Sequence, residues 1–119
     1  MEITMMLQTA AVLFALAALG GMLMAGIRFS GRPRPPSWLA MGHGFIAAAG
    51  LTLLIYTELT VGMPVLAELA LGLFIVAAIG GAVMNLKFHN RQLPLPIPLM
   101  IAHASLAAVA FILLLFGIY

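Results

Sequence analysis

The sequence predicts an all-α membrane protein, an up-down-up-down bundle of four transmembrane helices made of two tandem helical hairpins. Three observations carry this. Of 119 residues, 65% are hydrophobic and 7% charged, whereas a water-soluble domain carries about 25% charged residues. The apolar residues gather into four runs, each near or above the ~20 residues a helix needs to cross ~30 Å of hydrocarbon. The second half of the chain also repeats the first at a constant offset of 60 residues.

The runs are Ile3–Ile27, Ser37–Thr57, Val61–Leu86 and Pro96–Ile118. In lipid the backbone must satisfy its own hydrogen bonds, so each run is read as a helix. The strict alternation of a barrel strand is absent. The first run lacks the basic flank of a signal peptide and is longer than a signal-peptide core, so it is read as a retained helix. The second and fourth runs follow the Pro-rich stretches "RPRPP" and "LPLPIP", which are loop and helix-start signals. No domain boundary interrupts the chain, which is expected to form a single transmembrane domain over residues 1–119, with repeats 1–60 and 61–119.

Charge sets the expected orientation. Arg28, Arg32 and Arg34 fall between the first two runs, and Lys87 and Arg91 between the last two. Glu2, Glu58 and Glu68 fall toward the opposite ends. The positive-inside rule then places both basic loops in the cytoplasm of a bacterial-type inner membrane and both termini outside. Trp38 fits an interfacial anchor at the start of the second run. The basic residues thus read as topology determinants, and nucleic acid is not an expected partner. With no cysteine, disulfides, thiolate metal sites and Cys-linked haem are excluded.

The repeat is more informative than composition. Between residues 10–56 and 70–116, 15 of 47 positions are identical without a gap, where this Leu- and Ala-rich composition gives roughly a tenth to a sixth by chance. The pairs of weight are Gly20-Gly21 with Gly80-Gly81, Met24 with Met84, Pro36 with Pro96, and His43 with His103. Two crossings per repeat give both copies one orientation, related by a pseudo-twofold axis along the membrane normal. The second and fourth helices are then parallel and diagonal. Each histidine lies seven residues after its proline, about 10 Å inside the helix end. Counting back from the basic loops puts the two glycine pairs at nearly the same depth.

These residue types have one joint use. Neutral imidazole is a good ligand for iron, and two on opposite sides hold haem iron from both axial positions. Glycines let a flat macrocycle approach the backbones of the other two helices, and Ala47 and Ala107, one turn beyond the histidines, are also small. Arg28, Arg34 and Lys87 are the expected partners of the haem propionates. On His43, His103 and the two Gly-Gly pairs, the chain resembles the haem-binding core of membrane b-type cytochromes, in which diagonal helices hold haem through histidines. The resemblance is one of pattern. Those cores carry two histidines per ligand helix and two haems. Here each helix has one, which implies a single bis-histidine haem b and electron exchange with a quinone or a partner protein, an electron carrier ahead of a quinone-linked oxidoreductase.

Other readings stand beside this one. Gly-Gly pairs also serve close helix packing, and a membrane histidine can simply hydrogen-bond across helices. A haem-free accessory or assembly subunit of a larger membrane complex, or a homo-oligomer, uses the same features. Thioethers and imidazoles suit Cu(I), so Met22, Met24, Met41, Met84 and Met100 raise a copper-binding or small-solute transport alternative. Glu68, with Gln8 as its repeat counterpart, is expected near the outer interface, and His89 reads as a solvated loop residue.

Overall fold

A computed structural model describes residues 2–119. Four helices account for nearly all of it: α1 (Ile3–Phe29), α2 (Ser37–Thr60), α3 (Val65–Met84) and α4 (Ile97–Ile118). Each is long and apolar enough to cross a membrane, and the long dimension of the molecule is 43 Å, close to the ~40–45 Å of a bilayer with its headgroups. Large apolar side chains such as Val12, Leu19, Leu59, Val65, Ile79 and Phe116 stand exposed around the bundle. A soluble monomer rarely exposes so much apolar surface. A lipid bilayer is the environment that accommodates it.

The boundaries follow local chemistry. Gly62 has φ of +85°, and its N–H closes back onto the Thr57 carbonyl at 3.0 Å, a left-handed helix stop that suits glycine. Pro64 then starts α3, and its ring disfavours helix at Met63. The third helix therefore begins at Val65, four residues later than the apolar run implies, while α2 continues to Thr60. At its other end α3 passes into a π-helical turn, Asn85–His89. The other three helices have no such turn.

Packing separates the molecule into two hairpins. α1 lies closely along α2, and α3 along α4, while contacts between the hairpins are sparser. The diagonal pairs are α1 with α3 and α2 with α4. The core sits toward the carboxylate end, where Ala10, Ala67, Ala70 and Ala110 are fully buried with Leu54 and Leu114. Small residues bring helices close where lipid supplies no hydrophobic drive for association. On the α1–α3 diagonal, Phe14 stacks on its repeat counterpart Phe74, with ring centroids 3.8 Å apart and planes 4° from parallel. Contact between equivalent residues marks the approximate twofold axis.

The two connecting loops at the basic end are tied together. Arg28 Nε donates to the Leu95 carbonyl at 3.0 Å, Leu95 N to the Pro33 carbonyl at 3.1 Å, and Arg34 Nη1 to the Gln92 carbonyl at 2.7 Å. The hairpins are thus joined by an apolar core at one end and by loop hydrogen bonds at the other. Between these two fastenings lies a large cavity.

Candidate functional site

The cavity holds about 940 Å³ and opens between the hairpins in the basic half of the bundle. Phe14 and Phe74 line its inner end, and Leu95 and Pro35 line it toward the loops. It is at the upper end of the ~300–1,000 Å³ range of cofactor and ligand pockets. Its lining is almost wholly apolar. The polar exceptions are His43, His103, Asn85 and His89.

His43 and His103 meet across the α2–α4 diagonal, with ring centroids 6.2 Å apart and planes 73° apart. Each is held by its own hairpin. His43 Nδ1 lies 2.7 Å from the Ala17 carbonyl, and His103 Nδ1 lies 2.7 Å from the Ala77 carbonyl. A carbonyl only accepts, so Nδ1 carries the hydrogen in both rings. In the neutral ring this leaves a lone pair on Nε2, the arrangement by which protein histidines are prepared for a metal.

The glycine pairs explain how the rings reach those carbonyls. In a helix the side chains at i+3 and i+4 crowd the carbonyl of residue i. For Ala17 these positions are Gly20 and Gly21, and for Ala77 they are Gly80 and Gly81. A Cβ on Gly21 would stand 3.2 Å from His43 Cε1, and one on Gly81 would stand 3.2 Å from His103 Cε1. The Gly-Gly pairs therefore seat the imidazoles. Gly21 and Gly81 also line the cavity, as do Ala47 and Ala107, whereas Gly20 and Gly80 sit behind the histidine rings.

The basic residues lie at the loops. Arg28 and Arg34 are engaged with loop carbonyls, and neither they nor Lys87 lines the cavity. Their local role is to hold the loops together. The methionines are closer to the site than their spacing alone implied: Met22, Met24, Met41, Met84 and Met100 all line the cavity. Among the described residues no group of three or more His, Cys, Asp or Glu side chains is arranged around a common point. Glu68 is exposed near the start of α3, and Gln8 Nε2 reaches Tyr119 Oη at 3.4 Å.

His89 is the residue whose place was least visible in the sequence. It is half-buried, with Nε2 3.2 Å from Ser37 Oγ and with Nδ1 buried and unpartnered. The π turn that ends at His89 is the structural reason. π turns cluster at functional sites, but helical periodicity does not announce them. Set against known proteins, the chain matches no protein-family model, no curated protein and no solved structure.

Proposed function

We propose that this chain is a small membrane b-type cytochrome that holds one haem b between His43 and His103 and exchanges electrons with a quinone or a partner protein. The observation that carries the reading is the geometry of the imidazole pair. A metal–imidazole bond is about 2 Å, so two imidazoles that would share one metal between them need ring centres within about 6 Å of each other. The observed separation is 6.2 Å. The ring planes cross at 73°, each fixed by its Nδ1 hydrogen bond. Both rings also carry their hydrogen on Nδ1, which leaves Nε2 for iron.

The residues present fit the group. The Ala17 and Ala77 carbonyls orient the two ligands and raise their basicity. Ala47, Ala107, Gly21 and Gly81 leave room beside them, and Phe14 and Phe74 close the site from the carboxylate end. Haem iron supplies reversible one-electron chemistry, and burial among apolar side chains tunes its potential. With one site in the basic half, electron exchange belongs to that side. The charge distribution supports a cytoplasmic assignment for it in a bacterial-type inner membrane.

The test is the visible spectrum of the full chain purified from haem-replete cells, oxidised and reduced. A sharp reduced α-band of low-spin b haem is expected, abolished by His43→Ala and by His103→Ala separately. A colourless, well-folded protein overturns the reading and leaves the haem-free subunit. A second reading is favoured by the five methionines that line the same cavity. Soft thioethers and imidazoles suit Cu(I), and copper in stoichiometric amount without haem decides for it.

A further inference from the structure

A second, smaller cavity of about 430 Å³ lies at the basic end, between the two connecting loops. Arg32, Arg34, Ser37, His89, Asn90 and Gln92 line it together with three loop prolines. We propose that this pocket binds the phosphate of an anionic membrane lipid.

Charge, depth and an unsatisfied polar atom converge on it. All five Lys and Arg residues lie at this end. All three carboxylates lie elsewhere: Glu2 precedes α1, Glu58 is near the end of α2, and Glu68 is near the start of α3. No carboxylate therefore competes for the guanidinium groups. Arg34 uses Nη1 to hold the Gln92 carbonyl, which fixes the guanidinium and leaves most of its five N–H donors unspent. Among the described residues, Arg32 has no hydrogen bond to another side chain or carbonyl. His89 supplies the orphan. Its Nε2 lies 3.2 Å from Ser37 Oγ, and its Nδ1 is buried without a partner. A buried polar atom without a partner calls for one, and in the tautomer with hydrogen on Nδ1 a small rotation of the ring toward the pocket offers that hydrogen to a phosphate oxygen.

The depth is that of lipid headgroups. Trp38, next to Ser37, is 72% exposed, as befits an interfacial tryptophan. Phe29 and Leu86 are exposed near the same end and offer apolar surface for acyl chains. Basic pockets between transmembrane helices are a recurrent solution for anionic headgroups. The pocket also breaks the internal repeat. The counterpart of His89 is Phe29, and that of Gln92 is Arg32, so one lipid per chain is expected. The proposal does not require haem in the larger cavity, although Pro35 and His89 form part of the wall of both.

The test uses the full chain in nanodiscs of zwitterionic lipid titrated with phosphatidylglycerol, and native mass spectrometry to count retained lipids. Wild type is expected to retain one phosphatidylglycerol. The Arg32→Gln/Arg34→Gln double variant is expected to bind it more weakly by about fivefold per arginine, while Lys87→Gln/Arg91→Gln, which removes the same charge outside the pocket, changes it by less than about twofold. If the first double variant does not fold without the Arg34 bond to Gln92, Arg32→Gln alone carries the comparison. Inorganic phosphate that displaces the lipid from wild type supports the pocket as a phosphate site open to soluble sources too. Equal weakening by both double variants, or equal retention of zwitterionic and anionic lipid, overturns the proposal, because either result means diffuse surface charge.

Discussion

Gly50→Ala tests the packing that closes the large cavity at its inner end. A Cβ on Gly50 would lie 3.0, 3.1 and 3.2 Å from three ring carbons of Phe14, closer than carbon atoms normally approach. Withdrawal of Phe14 into the cavity that it lines would break its stack on Phe74. Phe14 is buried, and its centroid is already 3.8 Å from that of Phe74, inside the usual 4.5–7 Å of aromatic pairs. Overpacking of this kind costs about 1–3 kcal/mol, while alanine in place of glycine within a helix contributes at most about 1 kcal/mol. The net expectation is a destabilisation of about 1 kcal/mol. Gly42 lies on the same helix with nothing within 4 Å of its would-be Cβ, so Gly42→Ala should show the propensity gain alone. The two variants should differ by about 2 kcal/mol. Reversible unfolding of both in one detergent, monitored by helicity, measures the difference. A Gly50→Ala protein as stable as Gly42→Ala refutes the reasoning, because it means that the Phe14–Phe74 stack moves freely.

Gly21→Ala and Gly81→Ala should each leave stability nearly unchanged, since a propensity gain of up to about 1 kcal/mol offsets the strain on a membrane hydrogen bond worth ~0.6–1.7 kcal/mol. The imidazoles should nevertheless move, and ¹⁵N NMR of His43 and His103 should show the Nδ1–H signal shifted or broadened in the variant hairpin only. Arg28→Ala removes the hydrogen bond to the Leu95 carbonyl and, at a half-buried site, should cost about 1 kcal/mol in the same unfolding assay. The chain has no cysteine, so single cysteines report topology cleanly. Ser30→Cys and Gln92→Cys should react with an impermeant maleimide from one side of the membrane, and Thr60→Cys and Tyr119→Cys from the other.

What the sequence made legible was whatever depends on long-range pattern. Apolar run length placed four helices, because lipid leaves the backbone no other choice. The constant offset between repeats placed His43 opposite His103, because two equivalent hairpins in one bundle bring equivalent residues together on its diagonals. What stayed hidden depends on single hydrogen bonds. The glycine pairs read as a slot for a macrocycle, yet they uncover the carbonyls of Ala17 and Ala77 for the imidazoles. The signal was present in "AALGG" and "AAIGG", with each histidine 26 residues after the carbonyl it uses. The arginines read from their charge alone, and their hydrogen bonds to the Leu95 and Gln92 carbonyls depend on a loop conformation that no pattern announces. His89 read as solvated because a π turn leaves no periodic trace in five residues.

The duplicated hairpin has a consequence for how a paired-histidine site can be built. A lone hairpin of this design already holds its ring, since His43 is tied to Ala17 and His103 to Ala77 within their own halves. Neither ring depends on the other for its hydrogen bond, so each hairpin orients its own imidazole. What the second copy adds is an opposing imidazole at equal depth, which the twofold supplies. Symmetry alone would equally place two identical loops at the basic end. There the copies diverge: Arg32 and Arg34 come from one loop, and His89, Asn90 and Gln92 come from the other and the π turn beside it. The symmetric part therefore faces the bundle axis, where the two imidazoles meet. The asymmetric part faces the headgroups, where a single charged pocket can be assembled only from unlike loops. Replacing residues 85–92 with their first-repeat counterparts, residues 25–32, should leave the His43–His103 pair in place while exchanging His89, Asn90 and Gln92 of the pocket for phenylalanine, serine and arginine, which removes the buried His89 nitrogen.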